Sequence, residues 1–232
     1  MRRAGLIAIN VVREQRWFLL LMLVYIIGIT ALLYFVEKDE NDILVVFKQE
    51  AVYGTLFSIV IAASLFQNER KTRRIIAVLS KAVSRGEYVA GMIVGVNLTT
   101  VLFYAVVFAS FFVLFPPASA GGAVVMMVHM LVASLLASVV TVFYTTFLHP
   151  LIATAVAGLT LASPLLLEKL AGAGWTRVLP VVALIKEGFG YTLGQPPATD
   201  WTLLSIALLE CVALWLAAAW IFGLRDITTA VE

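Results

Sequence analysis

Few side chains in this sequence are of the types that do chemistry on a substrate. The 232 residues contain two histidines, His129 and His149, and one cysteine, Cys211. One cysteine excludes an intrachain disulfide and zinc sites built from cysteine pairs. A catalytic or structural zinc site needs about three or four protein ligands, which two histidines do not supply. We therefore predict that this chain holds no metal ion.

Motifs for nucleotide binding and for hydrolysis are also absent from the sequence. There is no Gly-x-x-x-x-Gly-Lys-Ser/Thr loop to hold the phosphates of ATP, no His-Glu-x-x-His and no Gly-x-Ser-x-Gly. We predict that the chain is not an enzyme. If it does energy-dependent work, the energy comes from a partner protein or from an ion gradient.

One acidic residue, Glu210, lies near the middle of a long apolar stretch, 201–222. A charged carboxylate at the centre of a membrane costs about 2.5–3.5 kcal/mol on insertion scales, so we expect Glu210 to face protein or water. The functional interpretation places it on a transport pathway. The structural interpretation gives it a hydrogen bond to a neighbouring helix.

The composition places these residues in a membrane. The sequence is 62% hydrophobic and 13% charged, with a mean hydropathy of +1.02. Soluble domains carry roughly 45–50% apolar and about 25% charged residues. This composition therefore indicates an integral membrane protein.

Six stretches are long and apolar enough to cross the roughly 30 Å of hydrocarbon in a bilayer. They are residues 17–36, 49–67, 89–115, 123–148, 151–167 and 201–222. We predict an all-α polytopic membrane protein in which residues 1–232 form one transmembrane domain. Residues 1–16 are predicted as an interfacial helix with the apolar face Leu6, Ile9 and Val12. Residues 168–200 form either a surface loop or a re-entrant segment with a short helix.

Basic residues lie mainly on one side of these spans if the N-terminus is cytoplasmic. The cytoplasmic segments then hold Arg2, Arg3, Arg13, Arg16, Arg70, Lys71, Arg73, Arg74, Lys81, Arg85 and Arg225. The outer segments hold Lys38, Lys48, Lys169, Arg177 and Lys186. Positive residues near span ends favour the cytoplasmic side. We therefore predict that both termini are cytoplasmic and that the protein lies in the cell (inner, cytoplasmic) membrane.

The first part of the main cytoplasmic loop, residues 68–88, is predicted to form an amphipathic helix. Apolar residues recur there at helical spacing, and the remaining positions are strongly cationic. One interpretation is a helix that lies on anionic lipid. The other is a docking helix that presents apolar side chains to a cytoplasmic partner.

The loop also carries a pattern that resembles the first cytoplasmic loop of ABC-2-type transporter permeases. That family commonly reads Glu, a Gly-Thr pair, Leu-Leu-Ser, Pro-Val-Ser-Arg and then Gly-Lys at the head of the third span. The matching positions here are Glu69, Leu79, Ser80, Val83, Ser84, Arg85, Glu87, Tyr88 and Gly91. The sequence departs from the family where Arg73–Arg74 replace Gly-Thr, Ala82 replaces Pro and Met92 replaces Lys. The pattern spans about 25 residues, and six spans with a basic N-terminal segment also agree with the family.

The resemblance implies a transmembrane permease subunit, of exporter type, whose cytoplasmic loop contains a coupling helix. Two copies of a separate ATPase would bind ATP and Mg, so no cofactor is expected in this chain. A second copy of the permease, or a homologous one, would complete the pathway. Membrane lipid is the other expected partner, and nucleic acid is not expected.

The coupling helix assigns roles to particular residues. The predicted ATPase-coupling residues are Glu69, Arg73, Arg74, Ile75, Val78, Leu79 and Arg85. The apolar members would be anchors in a groove on the ATPase, because buried apolar side chains dominate binding at the centre of an interface. The arginines would steer association, and Glu69 would cap the start of the helix.

Two other classes of membrane protein are alternatives to an ABC-2-type permease. An ion-coupled secondary transporter usually shows paired repeats with discontinuous helices, and the sequence has no convincing internal repeat. An enzyme acting on lipid would need clustered His or Asp near an interface, which the sequence lacks. The sequence does not identify the substrate.

Overall fold

The structure is a computed structural model. It describes residues 2–35, 40–71, 83–115, 120–171, 175–193 and 199–224. The helices are α1 (Arg2–Glu14), α2 (Arg16–Phe35), α3 (Glu40–Lys71), α4 (Arg85–Leu114), α5 (Ala120–Thr145), α6 (Pro150–Ala171), α7 (Val181–Phe189) and α8 (Trp201–Leu224). A 3₁₀ turn, Trp175–Arg177, precedes α7. Six of these helices are long and apolar enough to cross a membrane: α2, α3, α4, α5, α6 and α8. The protein is therefore a multi-pass, all-helical membrane protein over the described residues.

Two spanning helices extend beyond the apolar stretches in the sequence. The helix that contains the second stretch begins at Glu40, and its first turn carries Glu40 and Asp42. Carboxylates near a helix N-terminus are stabilised by the unpaired amide groups there, which explains a start within polar sequence. Helix α6, the fifth spanning helix, continues through Pro164 to Ala171.

Helix α8 starts where a carboxylate can cap it. The Asp200 carboxylate accepts hydrogen bonds from the hydroxyl of Thr202 and, at 2.9 Å, from the Thr202 amide. These hydrogen bonds hold the pKa of Asp200 below its usual range. Asp is a preferred N-cap residue for this reason, and it fixes the boundary between the preceding segment and α8.

Helix α5 is the centre of the bundle. It packs against α3, α4, α6, α7 and α8, and 67% of its most apolar stretch is buried. Its buried face combines long flexible side chains, Met126 and Met130, with small ones, Ala133 and Ala137. By contrast, α2, α6 and α8 bury little of their surface, and their exposed side chains are the apolar ones that lipid accommodates.

A polar network ties α5 to α3 and α4 inside the bundle. The Tyr104 hydroxyl lies 2.7 Å from the Ala51 carbonyl oxygen, to which it donates, and 2.9 Å from the Ser134 hydroxyl. The Ser134 hydroxyl lies 3.0 Å from that of Thr55. A Cβ atom at Gly54 would lie 2.5 Å from the Tyr104 ring. Glycine at this position therefore lets the ring lie against the backbone of α3 and reach the network.

The N-terminal helix α1 packs directly against the first turns of α4. A Cβ atom at Gly91 would lie 2.8 Å from Cβ of Ile7, and one at Gly95 would lie 2.6 Å from Cβ of Val11. Gly91 and Gly95 form a Gly-x-x-x-Gly pair, the spacing that lets two membrane helices approach closely. Ala8 and Val11 are buried in this contact, whereas Leu6 and Ile9 remain exposed. Helix α1 thus has a packed face as well as the apolar face expected from its sequence.

We expect Gly95→Val to destabilise the protein by about 1–3 kcal/mol, the usual cost of overpacking. The new methyl groups would occupy the space that Val11 fills, so α1 would be displaced from α4. The measurement is reversible unfolding in mixed detergent micelles. Gly28→Val is the matched control, because a Cβ atom at Gly28 meets nothing within 4 Å. Equal stability of the two variants would contradict the close packing of α1 on α4.

Candidate functional site

The structure describes only part of the predicted coupling segment. Arg73, Arg74, Ile75, Val78 and Leu79 lie outside the described residues, so their predicted roles stay predictions. Helix α3 extends to Lys71, which places the backbone of Glu69 in the last turn of that helix. The side chains of Arg85 and Glu210 are described.

The described end of the predicted coupling segment begins α4 with a capping box. The Ser84 hydroxyl accepts a hydrogen bond from the Glu87 amide at 3.1 Å, and the Glu87 carboxylate accepts one from the Ser84 amide at 3.1 Å. Both contacts satisfy amide groups that the first turn of a helix leaves without partners. Ser84 and Glu87 therefore set the residue at which α4 starts.

Arg85 connects the start of α4 to the end of α8. Its Nη1 donates a hydrogen bond of 3.0 Å to the carbonyl oxygen of Phe222 and another to that of Gly223. The last carbonyls of a helix lack partners within it and carry partial negative charge, so a guanidinium is favoured there. Arg85 thus caps α8 from a different helix, a role that needs no second protein.

Tyr88 adds an apolar contact between the same two helices. Its ring stacks on the ring of Phe222, with centroids 5.8 Å apart and planes 16° apart. The first seven residues of α4 thus place Arg85 and Tyr88 against α8 and Gly91 against α1. We call these contacts among α1, the first turns of α4 and the end of α8 the basal junction. It is the site that the described motif residues build.

The opposite end of the bundle holds the short helix α7 and the turn before it. Both carboxylate oxygens of Glu210 accept from the Leu179 amide, at 3.2 and 3.1 Å. Leu179 has a φ of 50°, in the left-handed region that side chains other than glycine and asparagine rarely adopt. The carboxylate of Glu210 therefore stabilises a strained turn, in keeping with the structural interpretation of this residue.

Helix α7 is held by hydrogen bonds to α5 and α3. His129 is buried. Its Nδ1 lies 2.8 Å from the Val125 carbonyl oxygen, and its Nε2 lies 3.0 Å from the Glu187 carboxylate. The Lys48 ammonium donates to the Phe189 carbonyl oxygen at 2.7 Å. Among the described residues, no group of three or more His, Cys, Asp or Glu side chains could hold a metal ion.

The short segment around α7 therefore reaches between the spanning helices. Glu210 and His129 each lie about nine residues, roughly 13 Å of helix, from the start of their helices. Val181 and Leu184 of α7 are buried. The sequence predicts either a surface loop or a re-entrant element here, and the contacts with Glu210 and His129 show that the segment packs against the spanning helices. His129 and Glu187 lie far apart in the sequence, which gave no signal that they pair.

Glu50 is a buried carboxylate to which sequence reasoning gave no role. It is 3% exposed, and Oε1 has no hydrogen-bond partner among the described side chains and backbone. It lies on the face of α3 that also carries Phe47 and Gly54, both of which contact α4. An ionisable group within a spanning helix is a functional-site candidate by default.

Comparison with known proteins leaves the family open. No protein-family model matches the sequence, and no curated protein matches it at a significant level.

We expect Glu210→Ala to destabilise the protein by about 1–3 kcal/mol, because the Leu179 amide would lose its acceptor. Glu210→Gln keeps one acceptor oxygen and should be much milder. The measurement is unfolding in detergent, together with transport in vesicles. Normal transport by Glu210→Gln would contradict a role of the Glu210 charge on a transport pathway and would support the structural role. Unchanged stability of Glu210→Ala would mean that this hydrogen bond does not hold the turn.

We expect Glu50→Gln to be at least as stable as the natural protein. The substitution keeps the shape of the side chain but removes a carboxylate whose burial without a partner is costly. Glu210→Gln is the matched control, because the Glu210 carboxylate accepts hydrogen bonds from the Leu179 amide. The measurement is the midpoint of unfolding in detergent. A large loss of stability in Glu50→Gln would show that the carboxylate has a charged partner.

Proposed function

We propose that this chain is the transmembrane permease subunit of an ABC-2-type transporter, of exporter type. The proposal rests on the resemblance of the loop pattern around residues 69–91. The observation that carries it is the basal junction. The motif residues Ser84, Arg85, Glu87, Tyr88 and Gly91 each make a contact there that links α4 to its neighbours or sets its start.

The basal junction gives a physical route from the loop to the bundle. A force applied to residues 68–88 acts on α4 directly, since α4 begins at Arg85. Arg85 and Tyr88 pass that force to α8, and Gly91 passes it to α1. Close-packed contacts transmit displacement because protein interiors have low compressibility. The loop therefore acts on α1 and α8 as well as on α3 and α4, the two helices that it joins.

In the proposed transporter, the chemistry belongs to partner chains. Two copies of a cytoplasmic ATPase bind ATP and Mg, and their closure moves the coupling helix. A second permease, identical or homologous, faces this one across the pathway. Both termini are cytoplasmic in this arrangement, and α7 with its preceding turn lies near the outer surface of the cell membrane.

A second candidate function is favoured by Glu50. A buried carboxylate within a spanning helix is typical of ion-coupled secondary transporters. That class needs no ATPase and derives its energy from an ion gradient. The two candidates differ in whether the coupling loop is required for transport.

We expect Leu79→Asp to leave the protein in the membrane while abolishing co-purification of the ATPase and transport. A charge at the centre of an apolar contact removes an anchor. The double variant Arg73→Ala, Arg74→Ala should be milder and sensitive to salt, because charges at the rim mainly affect the rate of association. The measurements are pull-down of an untagged ATPase and transport in inverted vesicles.

Retention of the ATPase and of full transport by Leu79→Asp would contradict the docking role of this loop. Loss of transport in Glu50→Gln but not in Leu79→Asp, with no ATPase recovered from either variant or from the natural protein, would instead favour ion coupling. Val113→Asp is the control for a charge placed on an exposed apolar side chain away from the loop. It should reduce insertion without a specific effect on ATPase binding.

A further inference from the structure

The corner between α1 and α2 forms an open pocket of about 420 Å³. It is lined by Asn10, Arg13, Glu14, Arg16 and Trp17. Helix α1 ends at Glu14 and α2 begins at Arg16, so the pocket lies where the two helices meet. Its lining differs from that of the apolar grooves between spanning helices, because it combines two guanidinium groups with an indole ring.

The cationic groups of this pocket are not bound to a carboxylate of the part of the chain that the structure describes. Among the described residues, neither Arg13 nor Arg16 forms an ion pair. Glu14 also lines the pocket, and its Oε1 accepts a hydrogen bond of 3.1 Å from the Asn10 amide group. Two arginines and one carboxylate leave the pocket with a net positive charge. It is suited to an anion that accepts hydrogen bonds from guanidinium groups.

The surface beside the pocket is apolar. Leu6 and Ile9 of α1 are 69% and 61% exposed, and Leu20 and Leu21 of α2 are also exposed. In a multi-pass membrane protein such side chains face lipid. Trp17 is exposed too, with the Arg16 guanidinium 5.5 Å from its ring centre. Tryptophan and arginine together at the end of a spanning helix are typical of the headgroup level of a bilayer.

The two arginines are held at a fixed separation in the chain. The Gln15 amide donates to the Val11 carbonyl oxygen at 3.1 Å, and the Leu19 amide donates to the Gln15 carbonyl oxygen at 2.8 Å. Backbone hydrogen bonds therefore continue through the corner. The contact of Val11 with Gly95 fixes α1 on α4. A pocket whose backbone is already positioned loses less entropy when a ligand binds.

We propose that this corner binds the phosphate group of an anionic glycerophospholipid, with its acyl chains lying along the exposed apolar residues of α1 and α2. Arg13 and Arg16 bind the phosphate, and Trp17 lies at the glycerol level. A zwitterionic lipid carries its own cation and gains less from the net positive charge. The pocket therefore distinguishes phosphatidylglycerol from phosphatidylcholine. A protein partner is the less favoured occupant, since Leu6, Ile9, Leu20 and Leu21 suit acyl chains beside the anion site.

The size of the expected change in lipid retention follows from the charges of Arg13 and Arg16. Attraction of each basic residue to an anionic membrane surface corresponds to about a fivefold change in binding. Replacement of both arginines should therefore weaken retention of phosphatidylglycerol by roughly 25-fold. Arg13→Lys with Arg16→Lys keeps the charge but loses the planar fork that binds phosphate at two points, so its effect should be intermediate.

The experiment is native mass spectrometry of the purified protein titrated with phosphatidylglycerol or phosphatidylcholine in detergent. The variant is Arg13→Gln with Arg16→Gln. The matched control is Lys169→Gln with Arg177→Gln, which removes the same charge from two exposed residues at the other end of the bundle. We expect the natural protein and the control to retain phosphatidylglycerol in preference to phosphatidylcholine. The arginine variant should lose that preference.

Three results would overturn the proposal. The first is equal retention of phosphatidylglycerol by the natural protein and the arginine variant. The second is equal loss in the variant and in the control, which would mean that total charge rather than this corner attracts the lipid. The third is retained phosphatidylglycerol with loss of a co-purifying protein in the arginine variant, which would make the corner a protein-docking site. Thermal unfolding without added lipid shows whether the variant is folded, so loss of lipid is not confused with loss of structure.

Discussion

The close approach of α1 to α4 is the contact on which the basal junction depends. Gly91 and Gly95 present bare backbone to Ile7 and Val11, and either Cβ atom would lie within 3 Å of them. Apolar burial provides little driving force between helices in lipid, so shape and close contact carry the association. With α1 seated there, the first turns of α4 are packed against α1 and, through Arg85 and Tyr88, against α8. Replacement of these glycines by larger residues would separate the contacts of α4 with α1 from its contacts with α8.

Composition and hydropathy predict the number of spanning helices in this chain, because each span must satisfy its own backbone hydrogen bonds in lipid. The contacts between spans follow different rules. The Tyr104 hydroxyl reaches Ala51 and Ser134 only because Gly54 leaves room for the ring. Nothing in the local sequence of Tyr104 indicates that room. The pairing of His129 with Glu187 and the burial of Glu50 are likewise set by which helices become neighbours, and hydropathy does not encode the neighbours.

The described residues of the predicted coupling motif make contacts within the chain itself. Sequence reasoning placed Arg85 at the rim of a contact with an ATPase. The structure gives its guanidinium the carbonyl oxygens of Phe222 and Gly223. Ser84 and Glu87 fix the helix start, and these are local effects that any membrane protein with this helix start would share. The described motif residues therefore account for how a loop is anchored in the bundle. The predicted contact with a partner involves Ile75, Val78 and Leu79, which lie outside the described residues.

The two ends of the bundle are held by different kinds of contact. The basal junction combines close backbone packing, a stacked ring pair and a capped helix end, which all resist displacement together. The segment around α7 combines hydrogen bonds from Glu210, His129 and Lys48 with apolar packing of its buried side chains Val181 and Leu184. Polar contacts between helices in a membrane contribute on average only about 0.6 kcal/mol each. In a transporter of the proposed kind, motion enters at the end that transmits displacement. The hydrogen bonds of the α7 segment are then the contacts that can exchange one at a time when the helices tilt, while the basal junction moves as a unit.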